Sequence, residues 1–211
     1  GSMMRFEEQY FKDTGKKISN YQDYTQKKFD LLADDLIDIC QLSKHDRIID
    51  YGCATGLLMK CLMRRGFRNI VGTDISYWAV EFGRNELRLG QHIQHHNLNL
   101  LDQKRKDVVF FLDVLEHIPT LDEIHWLIHL ASKGCRKCLI IRLPVSDKEG
   151  QDFVLEVSRN DKTHLQCHEK SIWLKILEAS LHWDHLIEYL KGKAIYDSEG
   201  VLAIKVSPKI C

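Results

Sequence analysis

From about residue 24 onward, short apolar runs alternate with stretches whose apolar positions recur every three or four residues. The first stretch, Tyr24 to Leu42, carries Phe29, Leu32, Leu36 and Ile39 on one helical face. Strands are expected at Arg47 to Tyr51, Asn69 to Thr73, His92 to Asn97, Asp107 to Leu112 and Cys138 to Arg142. Helices are expected between them at Leu57 to Arg65, Tyr77 to Leu89 and Leu121 to Ser132. Repeated strand-helix alternation predicts a parallel sheet covered by helices on both faces. Beyond Pro144 about 20 polar residues read as a functional loop, followed by a helix at Glu169 to Ala179. Two last strands, Trp183 to Tyr189 and Val201 to Val206, flank a segment suited to a hairpin at the sheet edge.

The pattern thus predicts an α/β, doubly wound, Rossmann-like sheet of seven mostly parallel strands, with a C-terminal antiparallel hairpin strand and a short N-terminal helical arm. At 211 residues there is room for one domain with an appendage. We divide the chain into a tag remnant at 1–3, an arm and helix at 4–43 able to act as a lid, and a core at 44–211. The arm's aromatics, Tyr10, Phe11, Tyr21 and Tyr24, suit either a cover over a ligand or simple packing.

Charge and cysteine content narrow the partners. Lys plus Arg and Asp plus Glu both number 30, so no global field draws the chain to nucleic acid or an anionic membrane, and we expect neither as a partner. The clusters Arg64, Arg65, Arg68 and Lys104, Arg105, Lys106 read as solvated element ends. Seven cysteines without paired spacing, and no apolar leader, suggest a reducing cytoplasm, with the chain a monomer or homodimer. Cys135-x-x-Cys138 alone is a weak metal or redox signal.

The chemistry concentrates where strands end. In Asp50-Tyr-Gly52-Cys-Ala54-Thr-Gly56 a strand closes on a carboxylate and enters a glycine-bearing turn, where bare backbone admits a ligand at the carboxyl edge of a doubly wound sheet. Asp74 ends the next strand and is suited to accept ribose hydroxyls. With no G-x-G-x-x-G fingerprint and no P-loop lysine, a nucleoside lacking phosphates fits better than a dinucleotide. Taken singly, Asp50 also suits a helix terminus, Asp74 an N-cap and Asn97 a turn.

These motifs resemble those of the class I S-adenosylmethionine-dependent methyltransferases, whose first motif is an acid, a spacer and Gly-x-Gly-x-Gly; here Ala54 replaces the middle glycine. Phe111-Leu-Asp113-Val-Leu-Glu116-His117-Ile-Pro119 and Thr163-His164-Leu-Gln-Cys-His168 further resemble the ubiquinone-biosynthesis-like small-molecule group. The resemblance, spanning about residues 40 to 206, implies S-adenosyl-L-methionine as cofactor, held by Asp50, Gly52, Ala54, Gly56, Asp74, Ile75, Asn97, Leu98, Leu112 and Tyr24. It implies transfer to oxygen, with nitrogen less favoured, of a small-molecule acceptor such as a sugar, acid or natural-product intermediate.

Proton removal from such an acceptor falls to His117 or His164, since histidine as a residue type can act as a base at working pH; His117 suits somewhat better a helix-start residue that shapes the cofactor pocket. Asp113, Glu116, His117 and His164 also resemble the carboxylate-histidine metal set of small-RNA 2′-O-methyltransferases, suited to Mg or Mn, although we assign no metal. The alternatives are an RNA or protein methyltransferase, which a basic surface beside the pocket would favour, and a catalytically silent cofactor-binding regulator.

Overall fold

The computed structural model describes residues 21–210, with side chains from Gln26 onward. Its helices are α1 (Tyr21–Cys40), α2 (Leu57–Arg64), α3 (Tyr77–Asn85), α4 (Leu121–Ser132), α5 (Glu156–Arg159) and α6 (Lys170–Ser180). Its strands are β1 (Ile48–Tyr51), β2 (Ile70–Asp74), β3 (Ile93–His95), β4 (Lys106–Leu112), β5 (Cys135–Pro144), β6 (His185–Tyr189) and β7 (Val201–Pro208). They form one seven-stranded sheet in the order β3-β2-β1-β4-β5-β7-β6, parallel except for β7, which runs antiparallel to both neighbours.

Both faces of the sheet are covered, which is why the central strands read as unbroken apolar runs. On β4, Val109 and Phe111 pack with Ile124 and Ile128 of α4 and Trp173 and Leu177 of α6, while Val108 and Phe110 face the cluster of α1 and α2. The period of two along the strand supplies this division. Each such side chain removed from water contributes about 1.5 to 3 kcal/mol.

Three departures from the sequence reading have physical causes. The third strand shrinks to three residues because His92 closes a preceding 3-10 turn and His96 adopts a left-handed backbone. The fifth extends past Arg142 through Pro144, since a proline can end a ladder where its missing N–H costs nothing. The polar loop contains α5, a single turn too short to show a period.

Leu32, Ala33, Leu36 and Cys40 of α1 lie in the core, so this helix is a layer of the domain as well as the continuation of the arm. Its Asp35 carboxylate accepts backbone N–H groups from Lys193 (3.2 Å), Ala194 (2.6 Å) and Ile195 (3.0 Å), in the segment joining β6 to β7. Lys205 of β7 donates to the Ile39 carbonyl at 3.0 Å. Tyr10 and Phe11 of the expected lid lie outside the described residues, as do the side chains of Tyr21 and Tyr24.

Candidate active site

The chain runs outward from β1 through β2 to β3, returns across the sheet, and resumes outward from β4 to β5. This reversal opens a crevice beyond the carboxyl ends of β1, β2 and β4. Two groups of functional side chains flank it.

The first group comes from the turns after β1 and β2. Gly52, Ala54 and Gly56 all have left-handed backbone, with φ of 77°, 51° and 89°. Ala54 thus occupies a conformation that costs a non-glycine residue about 1 kcal/mol. A Cβ on Gly52 would lie 2.4 Å from Val114 Cγ2, and one on Gly56 would lie 2.3 Å from Leu89 Cδ1, so both glycines serve close packing as well as the turn.

Asp74 accepts the Ala54 N–H at 2.8 Å and the Ser76 N–H at 2.9 Å, tying the β1 turn to β2. It is not the N-cap of α3; Ser76 is, accepting from the Ala79 N–H. Asp50 is buried, and no described side chain or N–H donates to its carboxylate. Burial first, and the nearby Asp74 second, push it up to about 7. A buried carboxylate beside another acid, without a donor, calls for a cation such as the α-ammonium of a methionine moiety. Asp74 remains half-exposed and able to accept hydroxyls.

Ile75 is half-buried and Leu98 exposed. Asn97 has both side-chain groups engaged: its oxygen accepts from the Asn99 N–H and its amide donates to Gln94. Asn97 thus caps the 3-10 turn Leu98–Leu100. Leu112, half-buried, closes β4.

The second group gathers on the 3-10 turn Leu115–His117 and the loop before α6. Leu165 and Gln166 both donate backbone N–H groups to the Glu116 carbonyl, at 2.7 and 3.0 Å, joining two segments distant in the chain. His117 and His164 rings meet at 4.8 Å between centroids. His117 Nδ1 faces two oxygens of Thr163, the carbonyl and the hydroxyl, each at 3.0 Å. The hydroxyl spends its proton on Asp161 at 2.5 Å, so it can only accept from His117. Nδ1 therefore carries the hydrogen, and Nε2 keeps its lone pair. Burial lowers the His117 pKa, partly offset by the Thr163 carbonyl. His164 bridges the Ser158 carbonyl at 3.0 Å and the Asp161 carboxylate at 3.3 Å.

Both carboxylate oxygens of Glu116 are buried without a hydrogen bond, and burial raises its pKa well above the ordinary range. Glu116, His117 and His164 each offer a ligand atom within 4.8 Å of the others, the one such group among the described residues. Asp113, expected with them, is engaged elsewhere: Arg142 Nη2 donates to it at 2.7 Å and Nε at 3.1 Å. Its backbone is also left-handed, at φ 58°. Sequence reasoning did not single out Asp161, although Asp-x-Thr-His is a recognisable local network, and it missed Arg142 for want of any local signal. Cys135 and Cys138 are buried thiols in strand β5.

A doubly wound sheet with β7 inserted antiparallel, and an acid-bearing glycine turn without a phosphate cradle, defines a class: the S-adenosylmethionine-dependent methyltransferases of class I. The profile of a family described as a methyltransferase domain matches residues 21–180, and the chain belongs to that family. Curated relatives include the mitochondrial ubiquinone biosynthesis O-methyltransferase of Dictyostelium discoideum, 22% identical over 72% of this chain and 48% of that one. The ubiquinone biosynthesis O-methyltransferase of Pelagibacter ubique is 26% identical over 54% of this chain and 48% of that one. The chain spans about half the length of these relatives.

Among solved structures, an S-adenosylmethionine-dependent methyltransferase from Archaeoglobus fulgidus superposes with a TM-score of 0.62 at 18% identity, covering 85% of this chain and 94% of that one. Magnesium protoporphyrin IX methyltransferase from Synechocystis, with bound S-adenosylhomocysteine, gives 0.61 at 19% identity over 88% and 84%. At these identities the likeness shows the fold.

Proposed function

We propose that this chain transfers the methyl group of S-adenosylmethionine to an oxygen of a small metabolite, with His117 removing the acceptor's proton. The carrying observation is the tautomer of His117, fixed by the two Thr163 oxygens at Nδ1, which sets Nε2 at 4.0 Å from the buried Glu116 Oε1 beside the crevice. Its lowered pKa keeps it neutral, and so basic, at working pH. His164 and Asp161 act with it, Asp161 by fixing Thr163 and so the His117 tautomer.

Asp50 would hold the donor's ammonium and Asp74 its ribose, with Ile75, Leu98 and Leu112 bordering the base. The donor supplies an electrophilic methyl on a sulfonium; the chain's own part is to align the acceptor in line with it and take its proton. The likeness to ubiquinone biosynthesis O-methyltransferases supports O-methylation of a small molecule. Six described cysteines are free thiols, which supports a reducing compartment such as the cytoplasm.

A second reading is favoured by one observation. The two unpartnered oxygens of buried Glu116, facing two histidines, suit a divalent cation that would orient an acceptor oxygenate. The test is methyl transfer to a panel of phenols, catechols and hydroxy acids, read as S-adenosylhomocysteine formed, with and without chelator. Chelator-resistant turnover that His117→Ala lowers at least 100-fold, at unchanged S-adenosylhomocysteine affinity, supports the base. Turnover abolished by chelator and restored by Mn or Mg supports the cation. Full turnover in His117→Ala would overturn both.

A further inference from the structure

The end of the sheet opposite the crevice is basic, although the chain's formal charge is zero. Arg68 precedes β2, Arg47 precedes β1, Arg105 precedes β4 and Arg136 lies at the start of β5; all four are exposed. These strands are consecutive neighbours in the sheet. At about 4.8 Å between strands, the four arginines form a row roughly 14 Å long. His92, before β3, extends it by one strand.

The acids that balance this charge lie elsewhere: Asp50, Asp74, Asp113, Glu116 and Asp161 all sit at the crevice end. In the loops entering β1 to β5, the exposed carboxylates are Glu86 and Asp102. Asp46 and Asp107 are buried there and already engaged, with Lys137 and with the Arg47 N–H.

Between the starts of β1 and β2 the row contains a cavity of about 270 Å3, whose polar lining is Arg47, Arg68, Asn69, His92 and Gln103. Neither the Arg47 nor the Arg68 guanidinium has an ion pair or hydrogen bond among the described residues, whereas Arg65, Arg84 and Arg142 all have carboxylate partners. Lys106, by contrast, is buried and spent on the carbonyls of Gln103 and Lys133. His92 donates Nδ1–H to the Ile70 carbonyl, which fixes its ring at the cavity.

We propose that this edge docks the phosphate backbone of a single-stranded nucleic acid, with one phosphate seated in the Arg47–Arg68 cavity. A guanidinium presents paired donors that match phosphate oxygens. A row one side chain wide fits a linear polyanion better than a lipid surface. Of the exposed large apolar side chains outside the α-helices, only Leu98 lies in a connection entering β1 to β5, and it follows the far end of β3, so a membrane at this edge would find nothing to bury. The surface lies away from the crevice and is independent of the methyl-transfer reading.

The experiment is fluorescence anisotropy with a labelled 20-nucleotide RNA, alongside vesicles containing phosphatidylglycerol and inorganic phosphate alone. Four backbone contacts predict saturable RNA binding that weakens about 50-fold between 50 and 200 mM salt. Arg47→Glu/Arg68→Glu should weaken it at least tenfold and flatten the salt slope. S-adenosylhomocysteine affinity should be unchanged, which certifies the fold. If the charge reversal fails to fold, Arg47→Gln/Arg68→Gln replaces it, with the same direction expected. Absence of RNA binding, equal binding by a folded variant, or binding only to vesicles or free phosphate overturns the proposal.

Discussion

The two flanks of the crevice hold their acids differently. On the first flank, which we propose holds the donor, Asp50 and Asp74 lie at the ends of neighbouring strands, joined by the Gly52 and Cys53 N–H groups on the Thr73 carbonyl and by the Ala54 N–H on Asp74. On the acceptor flank, Glu116, His117 and His164 come from segments distant in the chain, joined by Leu165 and Gln166 on one carbonyl. Strand register alone positions the first pair. The second exists only after a loop has closed over a 3-10 turn, so its geometry depends on side-chain networks such as Asp161–Thr163–His117.

The largest effect that sharpens this contrast concerns Asp50. Its carboxyl is held near 7 in the fold against 3.8 for an ordinary one. The raised value means that the protonated form favours the folded state. That stability is fully present below pH about 4 and drains away as pH rises to 7, by at most about 4 kcal/mol. Asp50→Asn should abolish this slope in urea unfolding across pH 4 to 8. If, as proposed, the donor's ammonium sits beside Asp50, its binding should release protons near pH 7, visible as a buffer-dependent binding enthalpy in calorimetry.

Next comes Gly52→Ala, which combines left-handed strain with a clash against Val114. A loss of roughly 3 kcal/mol in denaturant unfolding is expected. A neutral result would mean that the donor turn is set by something other than packing on Val114. On the acceptor flank, Thr163→Val should leave stability within about 1 kcal/mol but lower turnover roughly tenfold, because His117 loses one of the two oxygens that fix its tautomer. Unchanged turnover in that variant would leave the Thr163 carbonyl as sufficient. The smallest effect is Ala54→Gly, which relieves the left-handed backbone at 51° but loosens the unfolded chain, for a net gain of about 0.5 kcal/mol in the same unfolding assay.

The same contrast explains what the sequence discloses. Apolar runs such as Val108 to Phe111 and the amphipathic face of α4 report their own structure, because burial acts on neighbours in the chain. Asp50 and Asp74 were legible since each closes its own strand. The pairing of Arg142 with Asp113, across two strands, leaves no local trace, and neither did the diversion of Asp113 away from Glu116. Charge totals carry no position: only the topology shows that the exposed Arg47, Arg68, Arg105 and Arg136 precede or open neighbouring strands whose far ends carry Asp50, Asp74 and Asp113.

Asp35 and its three N–H donors carry a consequence for how the molecule is made. Ribosomes deliver α1 well before the segment around Lys193, yet that carboxylate is matched only when the later residues arrive. During synthesis α1 can shield apolar surface on α2, but the edge formed by β5 stays open until β7 pairs with it. A nascent chain halted before residue 190 therefore exposes an unpaired strand edge and an unmatched acid together. The hairpin of β6 and β7 thus secures a helix made well before it.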